Sequence, residues 1–170
     1  MAAVLEACPG ARRALFRAFH IGGCSSCGFQ PEETLAQVCQ RNGNLDVQEV
    51  LAQIQRSHEE DQKILIAPRD LQELLSRSGE GKLLDIRTRE EFEAARISGA
   101  ILFTQETMNE MLGRWPRETL LVIYDHTGEK SMDAAAYFLG HGFKNVRALR
   151  GGIDAWSQEI DPSIRRYRLE

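Results

Sequence analysis

Two stretches of this chain carry residue types whose spacing could do chemistry. Cys24-Ser-Ser-Cys27 places two thiols three positions apart, directly after Gly22-Gly23. Such a pair can share a metal, close a disulfide or pass a persulfide. A tetrahedral metal site needs four ligands, and Cys39, His20 and Cys8 are the extras within reach in sequence. Cys39 shares a helical face with Leu35 and Val38, as a small core residue does, His20 reads as a helix C-cap, and Cys8 before Pro9 reads as a helix-start residue. The second stretch runs from Leu120 to Ser131, where an apolar run stops abruptly at Asp125-His126-Thr127-Gly128-Glu129-Lys130. Asp125 beside His126 has acid-base character, but no serine, cysteine or second carboxylate pairs with them, so His126 reads as loop filling.

The elements that must position these residues follow from periodicity. Residues 120 to 124 are a run suited to a strand buried on both faces, and Ser131 to His141 carries Ala134, Ala135, Phe138 and Leu139 at helical spacing. The loop between them therefore sits at a strand's C-terminal end, where open α/β sheets bind ligands. Further strands are expected at 64–67, 83–86, 100–103 and 146–149, alternating with helices at 68–75, 90–95, near 108–112 and from 153. That alternation implies a mostly parallel sheet covered on both faces. Ahead of it, residues 1–56 read as a small all-α domain of three short helices: one opened by Pro9 with an apolar stripe of Leu15, Phe16 and Phe19 and stopped by Gly22-Gly23, one opened by Thr34 with Gln37, and one opened by Asp46 with Glu49. The polar residues 57–63 read as a linker, His58 included, and 64–170 as the α/β domain.

The α/β part resembles the rhodanese-like domains, which carry Cys-x-x-Gly-x-Arg-Ser at the loop. The resemblance rests on Leu83-Leu84-Asp85-Ile86-Arg87 through Phe92, Arg96-Ile97-Ser98-Gly99-Ala100, Gly142 to Val146, and Gly151-Gly152-Ile153-Asp154-Ala155-Trp156. It implies a rhodanese-like parallel sheet, with Arg87 and Glu91 in ion-pair roles that brace the loop and Trp156 in the core. Laid on the family's loop, Asp125 takes the cysteine's place, Gly128 and Ser131 fall in register, and Lys130 replaces the arginine. Family members carry sulfane sulfur as a cysteine persulfide cradled by backbone N–H groups, and a carboxylate cannot hold sulfur that way. Asp125 is expected to fill the cradle with its own charge. The phosphatases that share this fold also need the loop cysteine and arginine. The N-terminal part resembles small helical CxxC domains associated with redox and iron-sulfur proteins, through Gly22-Gly23-Cys24-Ser25-Ser26-Cys27 and Thr34-Leu35.

Composition bounds the partners. In 170 residues, 42% hydrophobic and 27% charged is ordinary for a globular chain, and a net charge of −4 with an isoelectric point near 5.6 recommends neither nucleic acid nor membrane. No apolar run approaches the roughly 18 residues of a membrane span, and charges interrupt any signal segment, so a cytoplasmic protein is expected. The basic tail Arg165-Arg166-Tyr167-Arg168 reads as solvated. The resulting expectation is a catalytically degenerate module binding a protein partner in sulfur or redox metabolism, requiring no cofactor and leaning away from enzymatic activity. The alternative is a sulfurtransferase or persulfide carrier working through Cys24 or Cys27. A zinc ion or iron-sulfur cluster at the CxxC unit, shared across a homodimer, is the third reading.

Overall fold

The computed structural model describes residues 1–22, 28–77 and 81–167, so Cys24 and Cys27 lie outside the described residues. The chain divides into two compact units, Met1–Lys63 and Ile64–Glu170.

The first unit is helical. Helix α1 (Ala2–Ala7) precedes the expected helices: six residues of mostly strong helix formers, ended by Cys8, whose N–H donates to Val4 O. Cys8 thus closes a helix and does not start one. Helix α2 (Ala11–Phe19) begins after Gly10, which leaves Pro9 outside its first turn. It ends on His20, which takes the left-handed conformation at φ 55° ahead of the glycines expected to supply it. Leu15 is fully buried, but Phe16 is 47% exposed, so the expected stripe is narrower than its sequence spacing suggested. Helix α3 (Leu35–Arg41) opens with a complete capping box between Thr34 and Gln37. Helix α4 (Val47–Ile64) is capped by Asp46, whose Oδ1 accepts the N–H groups of Gln48 and Glu49. Residues 57–63 are therefore no linker but the last turns of α4. With neither Gly nor Pro among them and with Glu, Gln and Lys in place, nothing stops the helix there. Asp61 on those turns pairs with Arg13 at 2.6 Å. The core of this unit gathers Ala14, Leu15, Ile21, Phe29, Val38, Cys39, Val50 and Ile54.

The second unit is a five-stranded, wholly parallel sheet in the order β1-β5-β4-β2-β3. In chain order it runs β1 (Leu65–Ile66), α5 (Pro68–Arg77), β2 (Lys82–Asp85), α6 (Arg89–Ala94), β3 (Ile101–Leu102), α7 (Gln105–Arg114), β4 (Leu120–Tyr124), α8 (Glu129–Gly140), β5 (Asn145–Leu149) and α9 (Gly152–Glu159). The alternation of side chains along β4 splits the core in two. Leu121 and Ile123 face Met111, Ala135, Phe138 and Phe143, whereas Val122 and Tyr124 face Leu71, Ile153 and Trp156. The direction of strand addition reverses between β2 and β4, so the loops that follow these two strands open beside each other at the sheet's C-terminal edge.

Phe138 anchors one of the two cores, 1% exposed and edge-on to both Phe103 and Phe143. Phe138→Ala should cost about 3–5 kcal/mol, the range for emptying a buried aromatic site. Chemical denaturation would register this as a lower midpoint with an unchanged slope.

Candidate functional site

The loop after β4 is built around one side chain. Asp125, 4% exposed, turns its carboxylate back into the loop and collects backbone donors. Its Oδ1 accepts the N–H groups of Gly128 at 2.9 Å and Ser131 at 3.3 Å, and its Oδ2 accepts that of Lys130 at 3.2 Å. These are the free donors at the start of α8, where the helix dipole also favours negative charge. Ser131 Oγ donates to Gly128 O at 3.1 Å and closes the turn. Gly128 sits at φ 93°, and a Cβ there would stand 2.9 Å from Gly151 N and 3.1 Å from Leu149 O.

From the other side, the start of α9 grips the same loop. Ile153 N–H donates to Asp125 O at 3.0 Å and Asp154 N–H to His126 O at 3.1 Å. This approach requires Gly152 at φ 58°, since a Cβ would meet both carbonyl oxygens at 2.5 Å. Thr127, Glu129 and Lys130 are exposed. The Nδ1 of His126 is buried with no hydrogen-bond partner among the described residues.

The neighbouring loop, after β2, holds a buried ion pair. Arg87 meets Asp85 through Nε to Oδ1 at 2.9 Å and Nη2 to Oδ2 at 2.5 Å, with side chains 2% and 0% exposed. The Arg87 N–H adds a third bond to Oδ1 at 3.0 Å, and Nη2 also donates to Ala95 O at 2.7 Å. Burial alone would lower the guanidinium's pKa, but the Asp85 carboxylate overrides it and holds it above its ordinary value. Tyr124 sits against the same pair, and burial, with the Asp85 charge, pushes its phenol up.

Arg87 has the expected ion-pair role, with Asp85, whereas Glu91 does not meet Arg87 directly. Glu91 closes a capping box with Thr88 and reaches Arg87 through Tyr167. The Tyr167 hydroxyl donates to Glu91 Oε1 at 2.6 Å and accepts from Arg87 Nη1 at 2.7 Å. Its ring lies 4.4 Å from that of His126, centroid to centroid. Nor do Arg166 and Tyr167 stand free in solution, for Arg166 forks onto Asp154 at 2.7 and 3.0 Å; Arg165 is exposed as expected, and Arg168 lies outside the described residues. Tyr167 is the site residue that sequence reasoning missed, because its partners lie too far back in the chain for any local spacing to show.

The remaining candidates lie outside this loop in sequence. His20 caps α2 and Cys39 is buried in α3, where burial raises its thiol pKa. His58 stands on α4, beside Gln62. His141 caps α8, its Nδ1 2.8 Å from Tyr137 O. Among the described residues no helix is long and apolar enough to cross a membrane.

A family profile for the rhodanese-like domain matches residues 67–159. The chain is 33% identical over 104 residues to the probable adenylyltransferase/sulfurtransferase MoeZ of Mycobacterium tuberculosis, covering 60% of this chain and 26% of that protein. It therefore spans about a quarter of the length of that relative. It is 32% identical over 91 residues to the thiosulfate sulfurtransferase GlpE of Ectopseudomonas mendocina, covering 54% of this chain and 82% of the relative. In fold, it is similar to the solution structure of the rhodanese-like domain from an Anabaena sp. protein, at 20% identity and TM-score 0.51, covering 63% of this chain and 87% of that one.

Two outcomes follow from this geometry. Asp85→Asn leaves the Arg87 guanidinium buried without its counter-charge and should cost about 3–5 kcal/mol in a denaturation experiment. The second concerns pH. Burial and the Glu91 carboxylate raise Tyr167 to about 12, from an ordinary value of about 10. A raised folded-state pKa favours the folded protein below the ordinary value and loses that contribution as pH rises through the folded one. The tail contacts should therefore weaken between about pH 10 and 12. Tyrosinate absorbance should show the Tyr167 phenol titrating late, and less late in Glu91→Gln, which removes the carboxylate and leaves the burial.

Proposed function

This chain belongs to the rhodanese-like domain family, and from that membership we propose that residues 64–170 are a catalytically silent, sulfurtransferase-fold module that binds a protein partner in sulfur or redox metabolism. The single observation that carries the proposal is the Asp125 carboxylate seated on the N–H groups of Gly128, Lys130 and Ser131. Aligned on the family's Cys-x-x-Gly-x-Arg-Ser, Asp125 occupies the position of the sulfur-carrying cysteine. An aspartate offers no sulfur to form a persulfide. Its oxygens also engage the donors that would otherwise receive an anionic sulfur donor, and Glu129 adds a second negative charge beside them. Lys130 provides a point charge where the family's arginine provides a planar fork. No cysteine lies between residues 64 and 170, so nothing else in this unit replaces the nucleophile.

A second reading is favoured by one observation, that all four cysteines fall in residues 1–63. In it Cys24 or Cys27 carries the persulfide and the rhodanese-like unit supplies a docking surface. An alkylated persulfide mapped to Cys24 after incubation with a sulfur donor would support it.

Thiosulfate:cyanide sulfurtransferase activity separates the readings. Wild type should run at the uncatalysed background and Asp125→Cys should exceed it by about 10²-fold or more, since loss of a nucleophile costs orders of magnitude. Activity in wild type that survives serine replacement of all four cysteines would overturn the silent-loop reading. Activity that disappears with Cys24→Ser and Cys27→Ser would establish the second.

A further inference from the structure

The segment after α9 is fastened to the loop-bearing edge of the sheet by three side chains in close succession. Ile164 packs with the cluster of Leu71, Ile153 and Trp156, and its carbonyl oxygen accepts from Ser157 Oγ at 2.6 Å. Arg166 forks onto Asp154 of α9. Tyr167 inserts its hydroxyl between Arg87 and Glu91 and lays its ring against His126. The receiving groups come from three separate places in the sequence: the loop after β2 with α6, the loop after β4, and α9. Apolar contact, a forked charge pair and a tyrosine hydroxyl read by both a donor and an acceptor together make a recognition surface, of the kind that selects side chains in an extended peptide.

Part of the tail's hold on this surface faces solvent. Pro162, Ser163, Arg165 and Arg166 are exposed, and a solvent-facing ion pair such as that of Arg166 contributes little. The receiving side is different: Arg87 is buried, and His126 Nδ1 is buried and without a hydrogen-bond partner among the described residues, a polar atom that residues 161–167 leave unsatisfied.

We propose that this edge is a peptide-docking groove, occupied in cis by residues 161–167, whose partner in trans is a protein segment presenting an aliphatic side chain, then an arginine two residues on and a tyrosine directly after it. The proposal deepens the binding-module reading and rests on it for its purpose. Its test reads peptide affinity and not sulfur transfer, so either can fail alone. The cis tail competes with the partner at a high effective concentration, which makes the groove's apparent affinity depend on how firmly the tail is seated.

The probe is a synthetic peptide of residues 160–167 with blocked ends, added to the full chain, and the readout is the His126 imidazole resonances in NMR. In wild type these should carry the ring-current shift of Tyr167. In the full-length double variant Arg166→Ala/Tyr167→Ala the shift should vanish, and the peptide should restore it. The peptide should bind the double variant about tenfold more tightly than wild type, with Arg166→Ala alone falling between. A peptide carrying Phe in place of Tyr167 should bind more weakly, and added salt should weaken the intact peptide. Single-variant data keep the result readable if the double variant is unstable. Imidazole resonances of the double variant unmoved by the peptide at about 1 mM, or equal affinity for wild type and variants, would overturn the proposal.

Discussion

The buried pair of Asp85 and Arg87 is the contact on which the C-terminal edge of the sheet depends. Ions removed from water stay favourable only when the geometry is forked and the remaining donors are used. Here they are: Arg87 spends its N–H groups on Asp85, on Ala95 O at the end of α6 and on the Tyr167 hydroxyl. Tyr124, from the central strand, closes the pair off from below, and its hydroxyl accepts Ile97 N–H at 3.3 Å. One guanidinium thereby connects two adjacent strands, the helix between β2 and β3, and the tail. The tail's position follows from that pair, because without the charged donor the Tyr167 hydroxyl would have only the Glu91 carboxylate to meet.

The loop after β4 obeys the same rule with a different solution. A strand that ends at a helix N-terminus leaves N–H groups pointing into the crevice, and they need an acceptor. Asp125 supplies it from within the chain. Because the backbone carbonyls of Asp125 and His126 are held by α9 at the same time, the loop is fixed from both its faces. A preformed loop of this kind needs no bound ion to keep its shape.

Much of this was legible in the sequence. The strand at 120–124, the loop at 125 and the two-sided burial of β4 follow from an apolar run bounded by a polar loop and a small-residue helix, and the structure has them at Leu120–Tyr124 and Glu129–Gly140. The Thr34 and Gln37 capping box was legible because its signal is local. What was missed is either uncapped or non-local. Helix α1 has no side-chain cap to announce it, and the end of α4 carries polar residues that serve a helix as well as a linker. Phe16 has helical spacing with Leu15 and Phe19, yet periodicity cannot say how far round the helix its neighbours reach. The bridge of Tyr167 from Arg87 to Glu91 joins residues from opposite ends of the unit, and a basic tail looks the same in sequence whether solvated or docked.

The two outer strands of the sheet, Leu65–Ile66 and Ile101–Leu102, are two residues each. Unpaired strand edges are templates on which another chain can add a strand, and short ones offer few backbone groups to copy. This sheet is thus guarded at both margins against edge-to-edge aggregation, and it is a poor acceptor for β-augmentation. Side chains at the strand ends, by contrast, can be changed in sequence without disturbing the hydrogen-bonded ladder beneath them.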